Sequence, residues 1–363
     1  MIFLKILHMK KVFLYCNRKI SLMIEVKKLT KTFLNYKRRE GIYGAFLDLF
    51  NREYKEVPAV SGVTFNISDG ELVGYIGANG AGKSTTIKML TGILIPTSGV
   101  VRVAGYVPSR DRTEYTKNIG VVFGQRTQLW WDIAVIESFR LLRKVYEVDK
   151  ETFDERLDRF KEILDLKDFI QLPLRKLSLG QRMRCDLVAS LLHNPKVLFL
   201  DEPTIGLDVE GRVKIREFLS HINKTEKTTV ILTTHNLDEI EKLCKRVMII
   251  DKGKLLYDGL LSDLKESFSC GKRVIFVFDE EKSSSELAGF GFNGTVNWRK
   301  LEPLRYEASF DRKTMSATEI ISKVVNNTHV SDIAIEETAI EDIVRKIYRE
   351  GKISDQLSVT SDQ

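Results

Sequence analysis

The stretch Gly77-Ala78-Asn79-Gly80-Ala81-Gly82-Lys83-Ser84 has the form G-x-x-x-x-G-K-[ST] and lies between an apolar run, residues 71–76, and a helix-forming run, residues 83–90. In that strand-loop-helix setting the glycines let successive backbone N–H groups converge on phosphate oxygens at the positive end of the helix. Lys83 then reaches the β and γ phosphates, and the Ser84 hydroxyl becomes a ligand for Mg2+. Such a site also needs a carboxylate for the metal and a group to activate water, both expected where a buried strand ends. Val197-Leu198-Phe199-Leu200 reads as that strand, and Asp201-Glu202-Pro203 follows it directly. Asp201 is read as holding Mg2+ through water and Glu202 as the general base.

Outward from the loop, short β-rich runs recur at residues 24–29, 63–67, 119–123, 229–232 and 246–250, and Thr97-Ser98-Gly99 marks a turn before another strand. Helical patterns separate them, such as Met183, Leu187, Val188, Leu191 and Leu192. Strands alternating with helices imply a mainly parallel sheet wrapped by helices. Residues 41–55 carry Ile42, Phe46, Leu49 and Phe50 at helical spacing, and Pro58 is read as the stop of that segment. After about Leu264 the texture changes: a strand at residues 273–278, a Ser-rich linker at residues 283–285 and a closing helical pattern at residues 340–348 suggest a small second α+β domain.

With 363 residues the chain has length for roughly two domains, and 43% hydrophobic with 29% charged residues excludes collagen-like, low-complexity and wholly disordered classes. No uncharged apolar run approaches the ~18 residues needed to cross a bilayer, so a membrane role needs a partner. The net charge of +7 is concentrated in residues 1–22, where Lys5, Lys10, Lys11, Arg18 and Lys19 stand without an acid; the remainder is nearly balanced and gives no reason to expect nucleic acid. That leader lacks the apolar core of a signal peptide, and Met23 is read as the working start. Cys16, Cys185, Cys244 and Cys270 form no C-x-x-C pair, which fits reduced thiols in cytosol.

Four further features narrow the reading: Gln125 after the strand at residues 119–123, Leu177-Ser178-Leu179-Gly180-Gln181 before an amphipathic helix, Gly206-Leu207-Asp208 after the carboxylates, and Thr233-Thr234-His235 at the end of the next strand. In this order, over roughly residues 24–259, the sequence resembles the ATP-binding subunits of ABC transporters. The details 124–132 and 177–182 look most like the single-domain ATPases that pair with ABC-2-type permeases, largely exporters. The resemblance implies an α/β fold, a P-loop NTPase of the ABC type with an added antiparallel β subdomain and a helical subdomain, plus the small C-terminal domain. The expected boundaries are 1–22 for the leader, 23–264 for the ATP-binding domain (insertion 35–56, helical subdomain about 125–195), 265–352 for the accessory domain and 353–363 for a polar tail.

The resemblance also implies roles. Two such domains would meet head to tail around two ATP, as a homodimer or a paired subunit. Ser178 and Gly180, with Gln181, would face the γ-phosphate held by the other subunit's loop, residues 77–84 with Thr85. Gln125 would touch Mg2+ and water, Asp208 would cross the interface, and His235 would contact the γ-phosphate and hold Glu202. Phe33 fits the aromatic that stacks on adenine, with Tyr36 and Tyr54 as rivals. Leu179 stands where the family commonly has glycine, which puts the contact to the other subunit's nucleotide in question if a positive φ is needed there. Trp130 and Trp131 would lie near the groove for a cytosolic helix of an integral-membrane permease, or in the core. The 35–56 segment with Lys37, Arg38 and Arg39 would touch lipid or permease, or be a surface helix. The leading function is an ATPase at the cytoplasmic membrane face that drives a separate permease, with export as the direction its exporter look-alikes imply; the alternatives are a soluble ABC-type ATPase acting on ribosomes or DNA, and a regulatory ATPase.

Overall fold

The computed structural model describes residues 22–36, 54–124, 126–268, 273–292, 294–310, 314–336 and 340–350. They fall into two compact units that divide between Asp258 and Gly259. In the first unit β1 (Leu22–Tyr36) pairs antiparallel with β2 (Tyr54–Ser68) on one side and β4 (Ser98–Val103) on the other. A second sheet has the order β5-β6-β7-β3-β8-β9, built from β3 (Leu72–Gly77), β5 (Ile119–Phe123), β6 (Val197–Asp201), β7 (Thr229–Thr233), β8 (Arg246–Asp251) and β9 (Lys254–Leu260). From β5 through β8 every pairing is parallel. Strands covered on both faces read as continuous apolar runs, and β6 and β7 are buried almost throughout.

Parallel register sets the working end of this sheet. Phe123 is level with Asp201, Asp201 with Thr233, and Thr233 with Tyr75, so the ends of β5, β6 and β7 meet just short of the phosphate loop. Helix α1 (Lys83–Leu90) leaves that loop, and α2 (Arg112–Thr116), α3 (Val135–Val145), α4 (Lys150–Ile163), α5 (Leu179–Leu191), α6 (Val209–Glu226) and α7 (Leu237–Leu243) follow. On α5, Met183, Leu187, Val188 and Leu191 are buried as their spacing predicts.

Several expectations change. Residues 37–53 lie outside the described residues, as do residues 1–21 of the leader and the tail from residue 351, but Tyr54 and Lys55 belong to β2, so the helical reading does not extend to residue 55. Pro58 stands within β2, opposite Thr32; β2 is an edge strand, where a missing N–H costs no ladder bond. The division between units falls at Asp258, not Leu264, because α8 (Leu261–Phe268) packs with α11 (Ile340–Glu350) of the second unit, where Leu261, Leu264, Ile340, Ile343 and Ile347 are buried.

The second unit runs β10 (Arg273–Phe278), α9 (Ser284–Gly289), β11 (Val296–Glu302), β12 (Arg305–Phe310), α10 (Ala317–Asn327), β13 (Val330–Glu336). Its antiparallel sheet has the order β11-β12-β10-β13, the β-α-β-β-α-β arrangement of ferredoxin-like folds. Phe276, Phe278, Tyr306 and Phe310 fill its core with Leu287, Ile320 and Val324 from the helices. The stretch read as a Ser-rich linker is a helix start: Ser283 caps the Glu286 N–H while the Glu286 carboxylate accepts from the Ser283 N–H at 2.8 Å.

Helix α5 lies so close to β5 that a Cβ on Gly120 would stand 2.3 Å from the Ser190 carbonyl oxygen and 2.9 Å from Leu198 Cδ1. Gly120→Ala should therefore destabilise the first unit by about 1–3 kcal/mol through forced backbone displacement. A thermal melt checks this; an unshifted transition would contradict the close approach.

Candidate nucleotide-binding site

The loop Gly77–Ser84 is shaped by its glycines. Gly80 and Gly82 take φ values of 80° and 110°, and a Cβ on Gly82 would sit 2.6 Å from the Ala59 carbonyl oxygen of β2. Lys83 is 6% exposed and folds back, its Nζ donating to the carbonyls of Gly77 (2.7 Å) and Ala78 (3.2 Å). Burial lowers its pKa, against the opposing pull of Glu202 and Asp201. The ammonium is thus held inside the loop's own curve, where phosphate oxygens are better acceptors than the carbonyls it now uses. Asn79, Ala78 and Gly80 form the exposed tip, and Thr85 is half-buried in the first turn of α1.

Ser84 Oγ donates to Asp201 Oδ1 at 3.2 Å, and Thr233 Oγ1 donates to the same oxygen at 2.6 Å. Hydroxyl and carboxylate side by side form the hard oxygen donor set that suits Mg2+. Glu202 adopts a left-handed φ of 55°, held by its N–H donating to both the carbonyl (3.0 Å) and Oγ1 (3.1 Å) of Thr233. That turn aims the side chain at His235, whose Nδ1 lies 3.6 Å from Glu202 Oε2. A cavity of about 750 Å³ opens here, lined by Asn79, Ser84, Asp201, Glu202 and His235 and closed by Gly124, Arg126 and Ile205. Gln125 lies outside the described residues.

The signature residues lie elsewhere. Ser178 caps α5 by accepting from the Gln181 N–H at 3.2 Å, and Gln181 Oε1 accepts from the Ser178 N–H at 2.9 Å, so both side chains serve their own helix. Leu179 opens that helix and is not among the residues with positive φ, which removes the conformational objection raised by its replacing glycine. Its Cδ2 would be 2.8 Å from a Cβ on Gly206. Asp208 caps α6, accepting from the Gly211 N–H at 2.8 Å. Ser178, Gly180, Gly206 and Asp208 line one groove of about 300 Å³ that no residue of the phosphate loop borders.

Phe33 is on β1 opposite Val57, 36% exposed, with Lys31 Nζ 5.4 Å from its ring centroid; Tyr36 pairs with Tyr54 farther along. Among the described side chains, neither Phe33 nor Tyr54 borders the cavity described above. Trp130 and Trp131 are each 45% exposed, so neither is a core residue, and the Arg182 guanidinium lies 4.4 Å from the Trp131 ring.

Other parts of the site went unassigned in the sequence. Thr233 was visible as a strand-end hydroxyl. Buried Glu239 accepts from Thr204 (2.8 Å) and Thr234 (3.2 Å), tying the segments after Glu202 and before His235. Asp186, 5% exposed, accepts from Thr127 Oγ1 (2.8 Å) and the Gln128 N–H (3.1 Å). An acid in an apolar helix face was the available signal for Asp186; Glu239, among Asn236, Asp238 and Lys242 on α7, carried no such signal.

A glycine cradle at the head of a helix, with a carboxylate pair at the end of a strand two places away in the same sheet, belongs to the P-loop nucleoside triphosphatases. Comparison with known proteins narrows the class. The family model described as "ABC transporter" matches residues 60–205. The chain is 32% identical to the ABC transporter ATP-binding protein NatA of Bacillus subtilis (strain 168), over 60% of this chain and 88% of that one. It is 32% identical to the daunorubicin resistance ATP-binding protein DrrA3 of Streptomyces coeruleorubidus, over 64% and 73%. A solved dimer of the ATP-binding cassette MJ0796, bound to ADP and Pi after hydrolysis, superposes with a TM-score of 0.55 at 26% identity, covering 66% of this chain and 99% of that one. The chain belongs to the ATP-binding proteins of ABC transporters and is an ABC-type ATPase.

Burial pushes the Asp186 carboxyl up to about 6, against the lowering effect of its bonds from Thr127 and Gln128. The folded state therefore holds this proton more tightly than the unfolded state, and the group's contribution to stability is lost as pH rises from about 4 through 6. Relative to wild type, Asp186→Asn should gain about 1–3 kcal/mol between pH 4 and pH 7. Denaturant titrations across that range test it; a stability difference that does not change with pH would contradict it.

Proposed function

We propose that two copies of the ATP-binding domain close head to tail on two ATP, and that this closure drives a separate integral-membrane permease of the ABC-2 kind at the cytoplasmic face, in the direction of export. The observation that carries the shared site is Gly180. Among the described residues a Cβ there would meet nothing closer than Leu207 Cδ2 at 3.8 Å, and its φ is not positive, so none of them requires glycine. Glycine is a poorer helix former than alanine, and an approaching phosphate is a reason to bear it. The signature groove lies apart from the phosphate loop of the same chain, which supports a second chain as the source of the nucleotide it meets.

Within each shared site, residues 77–85 would hold the phosphates, Ser84 and Asp201 the Mg2+, and Ser178, Gly180 and Gln181 with Asp208 the opposing side. The bound ion neutralises charge on the phosphates. Glu202 takes the proton of the attacking water, His235 fixes the Glu202 carboxylate, and Gln125 is assigned to the metal and water. Phe33, on the strand pair that abuts Gly82, is the proposed adenine platform. Export is supported by relatives such as the daunorubicin resistance protein.

Among the described residues no helix is long and apolar enough to cross a membrane, so transport requires a partner. Trp130 and Trp131 offer it an exposed aromatic anchor. Replacing both with Ala should release the protein from the membrane fraction of cells expressing its whole operon, with basal ATP hydrolysis and melting temperature near wild type. Retention in the membrane fraction, or a melting temperature lowered as a buried Trp would require at about 3–5 kcal/mol, would contradict this docking site.

A further inference from the structure

The loop that follows β5 is fastened to helix α5 at one buried carboxylate. Thr127 Oγ1 (2.8 Å) and the Gln128 N–H (3.1 Å) both donate to Asp186 Oδ1, Gln128 Nε2 donates to the Asp186 carbonyl (3.1 Å), and the Leu129 N–H donates back to Thr127 Oγ1 (3.1 Å). Asp186 sits among Cys185, Leu187 and Val188, all fully buried, and its carboxylate meets a hydroxyl and an amide. A buried acid in a helix interior is a poor choice for stability, since apolar groups of similar shape serve as well or better.

What the acid does join is two functional ends. Arg126, next to Thr127, borders the phosphate cavity with Phe123 and Gly124. Ser178, at the head of α5, borders the signature groove. We infer that Asp186 is a positioning residue: it fixes the cavity-side loop to the signature helix, so that the wall of one nucleotide cavity and the face offered to the opposing chain move as one body. The inference rests on the shared-site reading given above, and it concerns how the two sites are coupled.

The test is steady-state ATP hydrolysis by the full chain carrying Thr127→Val, Asp186→Ala, Asp186→Asn or the Thr127→Val/Asp186→Ala pair. Thr127→Val and Asp186→Ala should each lower kcat about tenfold with KM for ATP within about twofold, because the phosphate loop is untouched. Asp186→Asn keeps an oxygen that accepts both bonds and should recover to within about threefold of wild type, and the double variant should be no worse than Asp186→Ala by more than about twofold. Wild-type kcat in Thr127→Val, multiplied losses in the pair, or KM rising in step with the fall in kcat would overturn the inference. If Asp186→Ala does not fold, Thr127→Val alone decides. Failure of the shared-site reading looks different: wild-type turnover would then be independent of protein concentration, whatever the variants do.

Discussion

One carboxylate oxygen organises the first unit's working end. Asp201 Oδ1 receives hydroxyls from Ser84, at the head of α1, and from Thr233, at the end of the strand between β6 and β3. That convergence requires β6 and β7 to run parallel in a register that sets Asp201 beside Thr233, and requires the phosphate loop to end in a hydroxyl. The next residue, Glu202, is turned into a left-handed conformation that costs a non-glycine residue on the order of 1–3 kcal/mol, and two bonds into Thr233 hold it there. Gly124 has no room for a Cβ, which would fall 2.1 Å from the Glu202 carbonyl oxygen. The carboxylate pair is therefore clamped from both neighbouring strands, and its two members are sent to different tasks.

Much of this was legible because it is local. A glycine loop between a strand and a helix states its own conformation, and an apolar run ending in Asp-Glu states both a buried strand and a site at its end. Helix α1 and strand β5 fall at the residues their patterns indicate. What could not be read is set by contacts across the sheet. Thr233 acts on Asp201 only through register, and Asp186 matters through a loop 58 residues away in sequence. The Ser283 helix start was misread because serine serves linkers and caps alike, and the glutamate three residues on was the distinguishing mark. Pro58 was misread because a proline stop and a proline on an edge strand look the same until the sheet order is known.

The second unit carries a different message. Its ferredoxin-like sheet has an aromatic core, with Phe276, Phe278, Phe290, Phe292 and Tyr306 around Trp298 and its neighbours. Among the described residues no group of His, Cys, Asp and Glu is arranged to hold a metal ion. The chemistry that can be assigned to residues lies in the first unit, where the family model matches.

In the proposed dimer one chain holds only half of each ATP site. Glu202→Gln keeps an oxygen for the water but loses its basicity, so bound ATP should persist. Light scattering after size exclusion of this variant should show monomer without nucleotide and dimer with Mg2+ and ATP, and adding Ser178→Arg, which places a bulky side chain at the head of α5, should return it to monomer with ATP still bound. A Glu202→Gln chain that binds ATP yet stays monomeric, or a dimer indifferent to Ser178→Arg, would contradict the account.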